Sequence, residues 1–464
     1  MRSELPIVLA LSLVGCVSTS VRGDLDDLRE LTRAEALPDV DGPVDDATPE
    51  AALDALAHPL DSDAVVRIAL LNNRELRARI RELGIERGRL LTAGLLPNPL
   101  VEGELTPERQ TAVAMRVEWD VAGLLLAPMR AEAASTDLDI ARYDAASAVI
   151  ETGYEVRAAF YALQAAEESV AVAQRALDAQ LTARDAARAL AAAGNLRALD
   201  VRAREAAFEE ERVEVAEHEL EAILAREAVQ RLLGLSGQDT AWTLAGALAP
   251  IPDATNDDED LERRAIESSL ELRALSSLMV GEARRAGLAR TEAILPELLV
   301  DLHALVGTAD TTMTAPGAAL GGGIALRLPI FDQGSGRVAM HEHALDAAFE
   351  RYIGLAIEVR SAARETRARV LSAAMRGRHY ASIVLPARQG VLDETLLQYD
   401  AMQVSIFQLL DALRARQSSE IAAIATRREY WEAAAAMDAL LAGHHVEGGE
   451  IGTHTTRSDV SEAL

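Results

Sequence analysis

Positive charge, aromatic side chains, cysteine and long apolar runs are all scarce in this sequence. Of 464 residues, 46 are Lys or Arg against 74 Asp or Glu, for a formal net charge of −28. Binding to a phosphate backbone needs clustered basic residues, so a nucleic-acid partner is excluded. An acidic surface or lumen tolerates cations, although any soluble acidic protein would show the same balance. Aromatics make up only 3% of a chain that is 49% hydrophobic, whereas a compact enzyme usually packs more aromatic volume. Beyond the N-terminus no apolar run approaches the roughly 20 residues of a membrane-spanning helix. A membrane crossing would therefore have to be a β-barrel. No glycine-rich phosphate loop, nucleophile elbow or Cys/His cluster occurs, so neither an enzyme nor a cofactor is indicated.

The N-terminus accounts for the single cysteine. Arg2, an apolar stretch from Leu5 to Val14 and small residues before Cys16 form a secretion signal over residues 1–15, with Glu4 an unusual charge in it. Leu13, Val14, Gly15 and Cys16 match the lipobox of bacterial lipoproteins, in which the cysteine becomes the acylated first residue. An ordinary signal followed by a chance cysteine would instead leave an exported protein with one unpaired thiol, which is unusual. Acyl chains contribute about 0.8 kcal/mol per buried CH₂, so such an anchor is effectively permanent. Val17 in place of aspartate resembles the signal for release to the outer membrane.

Beyond the anchor the chain carries one plan twice. Residues 16–60 are acidic and punctuated by Pro38, Gly42, Pro43, Pro49 and Pro59, as in a linker. The first repeat spans 61–248. Leu76, Ile80, Leu83 and Leu90 recur at helical spacing up to Gly94, and a helix from about Ala127 to Ala193 follows, with another from about Asn195 to Leu233, each taken to run without a break. At about 1.5 Å per residue the longer would reach roughly 100 Å, a length typical of coiled coils, membranes or tubes. A linker at 249–260 leads to the second repeat, 261–442, with a helix to about Ile294, a strand region, a helix from about Arg337 to Ala401 and another from about Gln403 to Ala442. Gly194 to Leu199 aligns with Met402 to Phe407, where short reversals make two helical hairpins. Residues 443–464 are polar and glycine-dotted, as in a disordered tail.

Between the helices the period changes from 3.6 to two. Val113, Met115, Val117, Trp119 and Val121 alternate with Ala114, Arg116, Glu118 and Asp120. Val101, Gly103 and Leu105 alternate with Glu102 and Glu104, with a turn at Thr106 to Gln110. In the second repeat Val300, Leu302, Ala304 and Val306 alternate with Asp301 and His303, and Leu320, Ile324, Leu326 and Leu328 with Ala325 and Arg327. Four strands of this kind suit a barrel with Val117, Trp119 and Leu326 toward lipid and Arg116, Glu118, Asp301, His303 and Arg327 toward the lumen. A soluble sheet packed on helices would show the same alternation. Small closed barrels need about eight strands, so a four-strand chain must oligomerise; two copies supply eight and three supply twelve.

Leu70-Leu-Asn-Asn-Arg-Glu-Leu76, Gly94-Leu-Leu-Pro-Asn-Pro99 and Leu328-Pro-Ile-Phe-Asp-Gln-Gly334 resemble stretches of the TolC-type outer-membrane efflux factors, in the same order, and the resemblance covers about Leu60 to Leu441. It implies a mainly α chain with a transmembrane β-barrel portion: a homotrimer whose twelve strands continue into a twelve-helix periplasmic tube. An inner-membrane pump would feed it through a periplasmic adaptor. At the reversals the family usually shows glycine, two residues, then a small hydroxyl residue. Here Gly194 is followed by Arg197 in place of the hydroxyl, and Met402 replaces the glycine ahead of Ser405. The resemblance makes this region, with Asn195 and Gln403, the periplasmic tip and gate. Asp200 lies where relatives place acidic residues, yet its counterpart is Gln408, and a solvated surface charge explains it equally well.

His341 and His343 cannot readily share a metal ion, since residues two apart on a helix point to different faces. His444 and His445 fall in the tail. The sequence thus points to an outer-membrane duct for small toxic solutes or metal cations, with a protein-secretion duct and a periplasm-spanning lipoprotein without a channel as alternatives.

Overall fold

The computed structural model describes residues 20–446 except 35, 43, 45–46, 107–111, 254–259, 296 and 308–317. Cys16 with Leu13, Val14 and Gly15, the turn after Thr106 and the tail beyond 446 lie outside the described residues. The chain divides into two compact units.

The first unit comprises residues up to Leu28, Arg79–Ala145 and Leu272–Leu355. It holds strands β1 (Leu100–Thr106), β2 (Ala112–Asp120), β3 (Leu298–Gly307) and β4 (Ala318–Leu326). They form one antiparallel sheet in the order β1-β2-β3-β4, so β2 of the first repeat pairs with β3 of the second. Val121, read as a strand residue, instead opens helix α5 (Val121–Ala192), and Leu328 lies past the end of β4. Pro128 sits inside α5 near its start, and the 72-residue helix continues through it.

Residues 16–60 are not the aperiodic linker expected. They contain α1 (Arg22–Thr32) and α2 (Glu50–Leu56). At the start of α1, Val21, Leu25 and Leu28 are buried, and the fully buried Asp24 carboxylate meets Arg87 Nε and Arg142 Nη2 at 2.7 Å each. Burial pushes this carboxyl up, but hydrogen bonds from the two guanidinium groups outweigh it and hold Asp24 below its usual range. Arg87 lies on α4 (Arg74–Gly94).

The second unit comprises Arg29–Ala78, Ala146–Glu271 and residues from Ala356 on. One core of this unit gathers Leu60, Ile68, Phe160, Leu163, Val229 and Leu233 around helices α3 (Ser62–Asn72), α5 and α6 (Ala198–Leu232). The two repeats share a joint here. Between α3 and α4 the chain breaks at Asn73 (φ −59°, ψ 122°), and between α7 (Leu261–Ser268) and α8 (Leu270–Ile294) at Ser269 (φ −51°, ψ 118°). Onto each break packs the glycine that ends the return helix of its own repeat. A Cβ on Gly234 would lie 2.6 Å from the Asn72 carbonyl oxygen, and one on Gly443, after α11 (Ile406–Ala442), 2.5 Å from that of Ser268. Both glycines have positive φ, 67° and 116°, so close approach and backbone conformation each require glycine. The Asn72-Asn73 pair gains a physical role: Asn72 donates to the carbonyls of Leu233 and Gly234 and Asn73 to that of Leu232, satisfying the end of α6.

The second long helix is divided. Helix α9 (Ser335–His379) passes through a π segment, Tyr380–Val384, into α10 (Leu385–Asp400). Pro386 lacks an N–H and its ring crowds the carbonyl four residues back, and the wider π turn just ahead of it relieves that clash.

Candidate functional site

The register fixes which residues share a face. Val101 pairs with Val117 and Val117 with Leu302; Trp119 pairs with Val300 and Val300 with Ile324; Met115 pairs with Ala304 and Ala304 with Leu320. The apolar residues of the alternation therefore fall on one face, along with Leu326 opposite Leu298. Among the described residues nothing covers that face: Leu320 is 89% exposed, Ile324 77% and Leu302 59%. A contiguous exposed apolar face of this kind suits lipid or another chain.

The other face brings the charges together. Glu102 is paired with Arg116 and Arg116 with His303, while Glu118 is paired with Asp301. Arg116 sits 3.8 Å from both Glu102 and Asp301, and the His303 Nδ1 is 3.0 Å from Asp301 Oδ1. Opposite them β4 carries Gly321 and Gly323, where a Cβ would collide with the His303 ring and the Asp301 carboxylate. The glycines thus give these two side chains room to lie across the sheet. Arg327 lies just beyond β4 and pairs with Glu297 at 2.7 Å. The outer strands β1 and β4 each have one neighbour within the described sheet, and a free strand edge is a template for pairing with another chain.

The two reversals have one geometry. After α5, Gly194 (φ 78°) donates to Ala191 O and Asn195 to Leu190 O; after α10, Met402 (φ 58°) donates to Tyr399 O and Gln403 to Gln398 O. Both are Schellman ends, for which glycine is usual. Met402 takes the left-handed conformation without being glycine and is 93% exposed. Ser405 then begins α11 with a capping box closed by Gln408. At the first reversal Arg197 has no capping side chain, and its guanidinium pairs with Asp200 at 2.9 Å. Asp200 is therefore engaged by its own neighbour. The Arg204 guanidinium stacks 4.4 Å over the Phe407 ring, tying the N-terminal parts of the two return helices to each other. Sequence reasoning missed this pair, for which only a lone Phe in an alanine-rich helix gives any signal.

The histidine candidates are also placed. His341 Nδ1 lies 2.7 Å from Glu282, and Glu342 pairs with Arg290; among the described residues no group of three or more His, Cys, Asp or Glu could hold a metal ion. His444 is not in a loose tail. Its Nδ1 lies 2.8 Å from Ser147 Oγ and 3.2 Å from Glu271, which also accepts the His445 N–H. Burial pushes the Glu271 carboxyl up, but hydrogen bonds from His444 and the backbone outweigh it and lower it to about 2.

No family model matches the chain. It is 25% identical over 398 residues to the cobalt-zinc-cadmium resistance protein CzcC of Cupriavidus metallidurans, covering 83% of this chain and 90% of that protein. Among solved structures, CusC superposes with a TM-score of 0.68 at 15% identity, over 82% of this chain and 91% of its own. The CmeC outer membrane channel of Campylobacter jejuni gives 0.67 at 13% identity, over 91% and 93%. The MtrE outer membrane channel of Neisseria gonorrhoeae gives 0.66 at 17% identity, over 88% and 97%. The one-sided sheet, the duplicated long helices and these superpositions identify the architecture: the chain has the fold of the TolC-type outer-membrane efflux channels.

Proposed function

We propose that the chain is the outer-membrane duct of a tripartite efflux system, anchored through acylated Cys16 and carrying metal cations or other small toxic solutes. The observation that carries this reading is the register-locked sheet with an uncovered apolar face and a charged face behind it. Successive strands are antiparallel, so β4 of one copy can pair with β1 of the next in the same sense. Repeating that head-to-tail contact three times closes twelve strands with no free edge. The apolar face then meets lipid and Arg116, Glu118, Asp301, His303 and Arg327 line the lumen.

The duct is passive. Cargo enters from an inner-membrane pump through a periplasmic adaptor, and the tips at Gly194–Asn195 and Met402–Ser405 form the inner mouth and its gate. Long packed helices can open by shifting at their ends without breaking the wall. The metal reading draws on the name of the CzcC relative and on the acidic balance of the chain; the pump would supply most of the selectivity.

Purified protein in planar bilayers should produce discrete conductance steps. A protein that inserts and never conducts would reduce it to a periplasm-spanning lipoprotein. Cysteines at Asn195 and Gln403, cross-linked in assembled oligomers, should abolish transport until reduced; unchanged transport through cross-linked tips would move the gate elsewhere.

A further inference from the structure

Beyond the strands, helices α5, α8 and α9 leave a gap among them. Small side chains at Ala133, Ala134 and Ala289 floor a cavity of about 310 Å³, and Leu288 completes its apolar surface. Ala133 and Ala289 are buried. The volume is at the lower end of the range for small-molecule sites. The cavity lies wholly within the first unit, and the duct reading makes no use of it.

Cationic side chains converge on this floor from all three helices. Arg130 comes from α5, Arg285 from α8, and Arg337 and His341 from α9. They differ in how firmly they are held. Arg285 is committed to Asp137 and Glu282. Arg130 stands 3.8 Å from Glu292, too far for a hydrogen bond. Arg337 meets Asp332 with one Nη at 3.0 Å, which leaves the rest of its fork of donors open. His341 faces Glu282 with Nδ1 at 2.7 Å, so Nε2 is the ring nitrogen left for the cavity. Three guanidinium groups line the cavity against two carboxylates, Asp137 and Glu292. This is a local excess of positive charge in a chain whose net charge is −28.

We propose that this cavity binds a phosphoryl group, with Arg130, Arg337 and His341 as its donors and the alanine floor receiving the organic body that carries it. The directions of approach select the anion. Guanidinium forks suit carboxylate and phosphate alike, but a planar carboxylate is satisfied by one fork, whereas a tetrahedral group presents oxygens to donors arriving from both α5 and α9. Turning Arg130 away from Glu292 costs little, because a long, partly exposed ion pair contributes little. The bound group would then bridge a helix of the first repeat and one of the second. Two sources share this chemistry, a phospholipid headgroup and a soluble organic phosphate. Arg130 is ten residues past the end of β2, about 15 Å along α5, so under the barrel reading a headgroup is close by. The lipid source rests on that reading; the site itself does not.

The test is calorimetric titration of the full chain, stripped of lipid in a neutral detergent, at fixed ionic strength. The probes are a short-chain phosphatidylglycerol, glycerol phosphate and inorganic phosphate. At least one should bind saturably. Arg130→Gln and Arg337→Gln should each weaken that binding about tenfold, the loss of one charge-assisted hydrogen bond. Arg360→Gln removes the same charge from an exposed position on α9 and should leave it unchanged. Ala134→Leu fills the cavity while keeping every charge, and should abolish binding in a protein that elutes as the parent does; if it does not assemble, the three arginine variants decide alone. Binding of the lipid without the two soluble phosphates assigns the site to a headgroup, and binding of glycerol phosphate or inorganic phosphate as well assigns it to a soluble source. The site is overturned by saturable binding of none of the three, by equal weakening in Arg360→Gln, or by full binding in an assembled Ala134→Leu. Conductance is not read in this titration, so its failure leaves the duct standing.

Discussion

The sheet and the helical core around Phe160 use apolar residues in opposite ways. In the core, Phe160, Leu163, Ile68 and Leu233 are at most 1% exposed, sealed by helices of the same repeat. On the sheet, residues of similar size stand open to the surroundings along a whole face. The first arrangement is a finished hydrophobic core, stable by what the chain buries within itself. The second leaves its apolar face exposed in the single chain, and under the proposed function lipid and further strands would cover it. The proposed assembly would complete the second region, whereas the first is already closed within the chain.

The contrast should be sharpest in the core. Phe160→Ala should cost about 3–5 kcal/mol, read as a lower urea midpoint for the helical part whether or not lipid is present. Next come the two parities of the sheet. Val117→Arg or Leu326→Arg should cost about 2–4 kcal/mol in membrane assembly if the site lies near the bilayer midplane, and Glu118→Arg or Ala325→Arg should be tolerated. Equal tolerance of all four in a heat-stable oligomer assay would erase the distinction between faces.

Acid should weaken the helical region in part through the half-buried Glu271 carboxylate. The Glu271 carboxyl is lowered from 4.5 to about 2 in the fold, so its contribution is present above pH 4.5 and lost as pH falls from there toward 2. That contribution is at most about 3 kcal/mol. Glu271→Gln should be the weaker protein at neutral pH, and its deficit against the parent should shrink steadily below pH 4.5; a constant deficit would remove the carboxylate from the account. The smallest effect lies at the tips. A non-glycine residue in the left-handed region costs about 1–2 kcal/mol, so Met402→Gly should protect the second tip slightly from hydrogen exchange and Gly194→Ala should loosen the first. Unchanged exchange in both would mean the turns are set by packing.

Strand parity was legible because the side-chain period of a strand is two whatever it packs against, and the observed register keeps Val117, Trp119 and Leu326 on one face. The duplication was legible for a similar reason: both reversals are local turns written in a few residues, and even Met402 keeps the geometry of Gly194. The ends of elements were less so, since the helical pattern gave no sign that α5 starts at Val121 or that Pro386 requires a π turn ahead of it. Helix α1 was missed although Val21, Leu25 and Leu28 recur at helical spacing, because the stretch is short and lies among prolines and acids. Asp24 looks like one acid among many until Arg87 and Arg142, from distant parts of the chain, close around it. The same holds for Glu271 and His444, assigned to separate segments of the sequence and joined only in the fold. Sequence alone determined what depends on local period and local turn; tertiary structure decided which charges are buried and paired, because a charge is buried only by partners that the chain must fold to deliver.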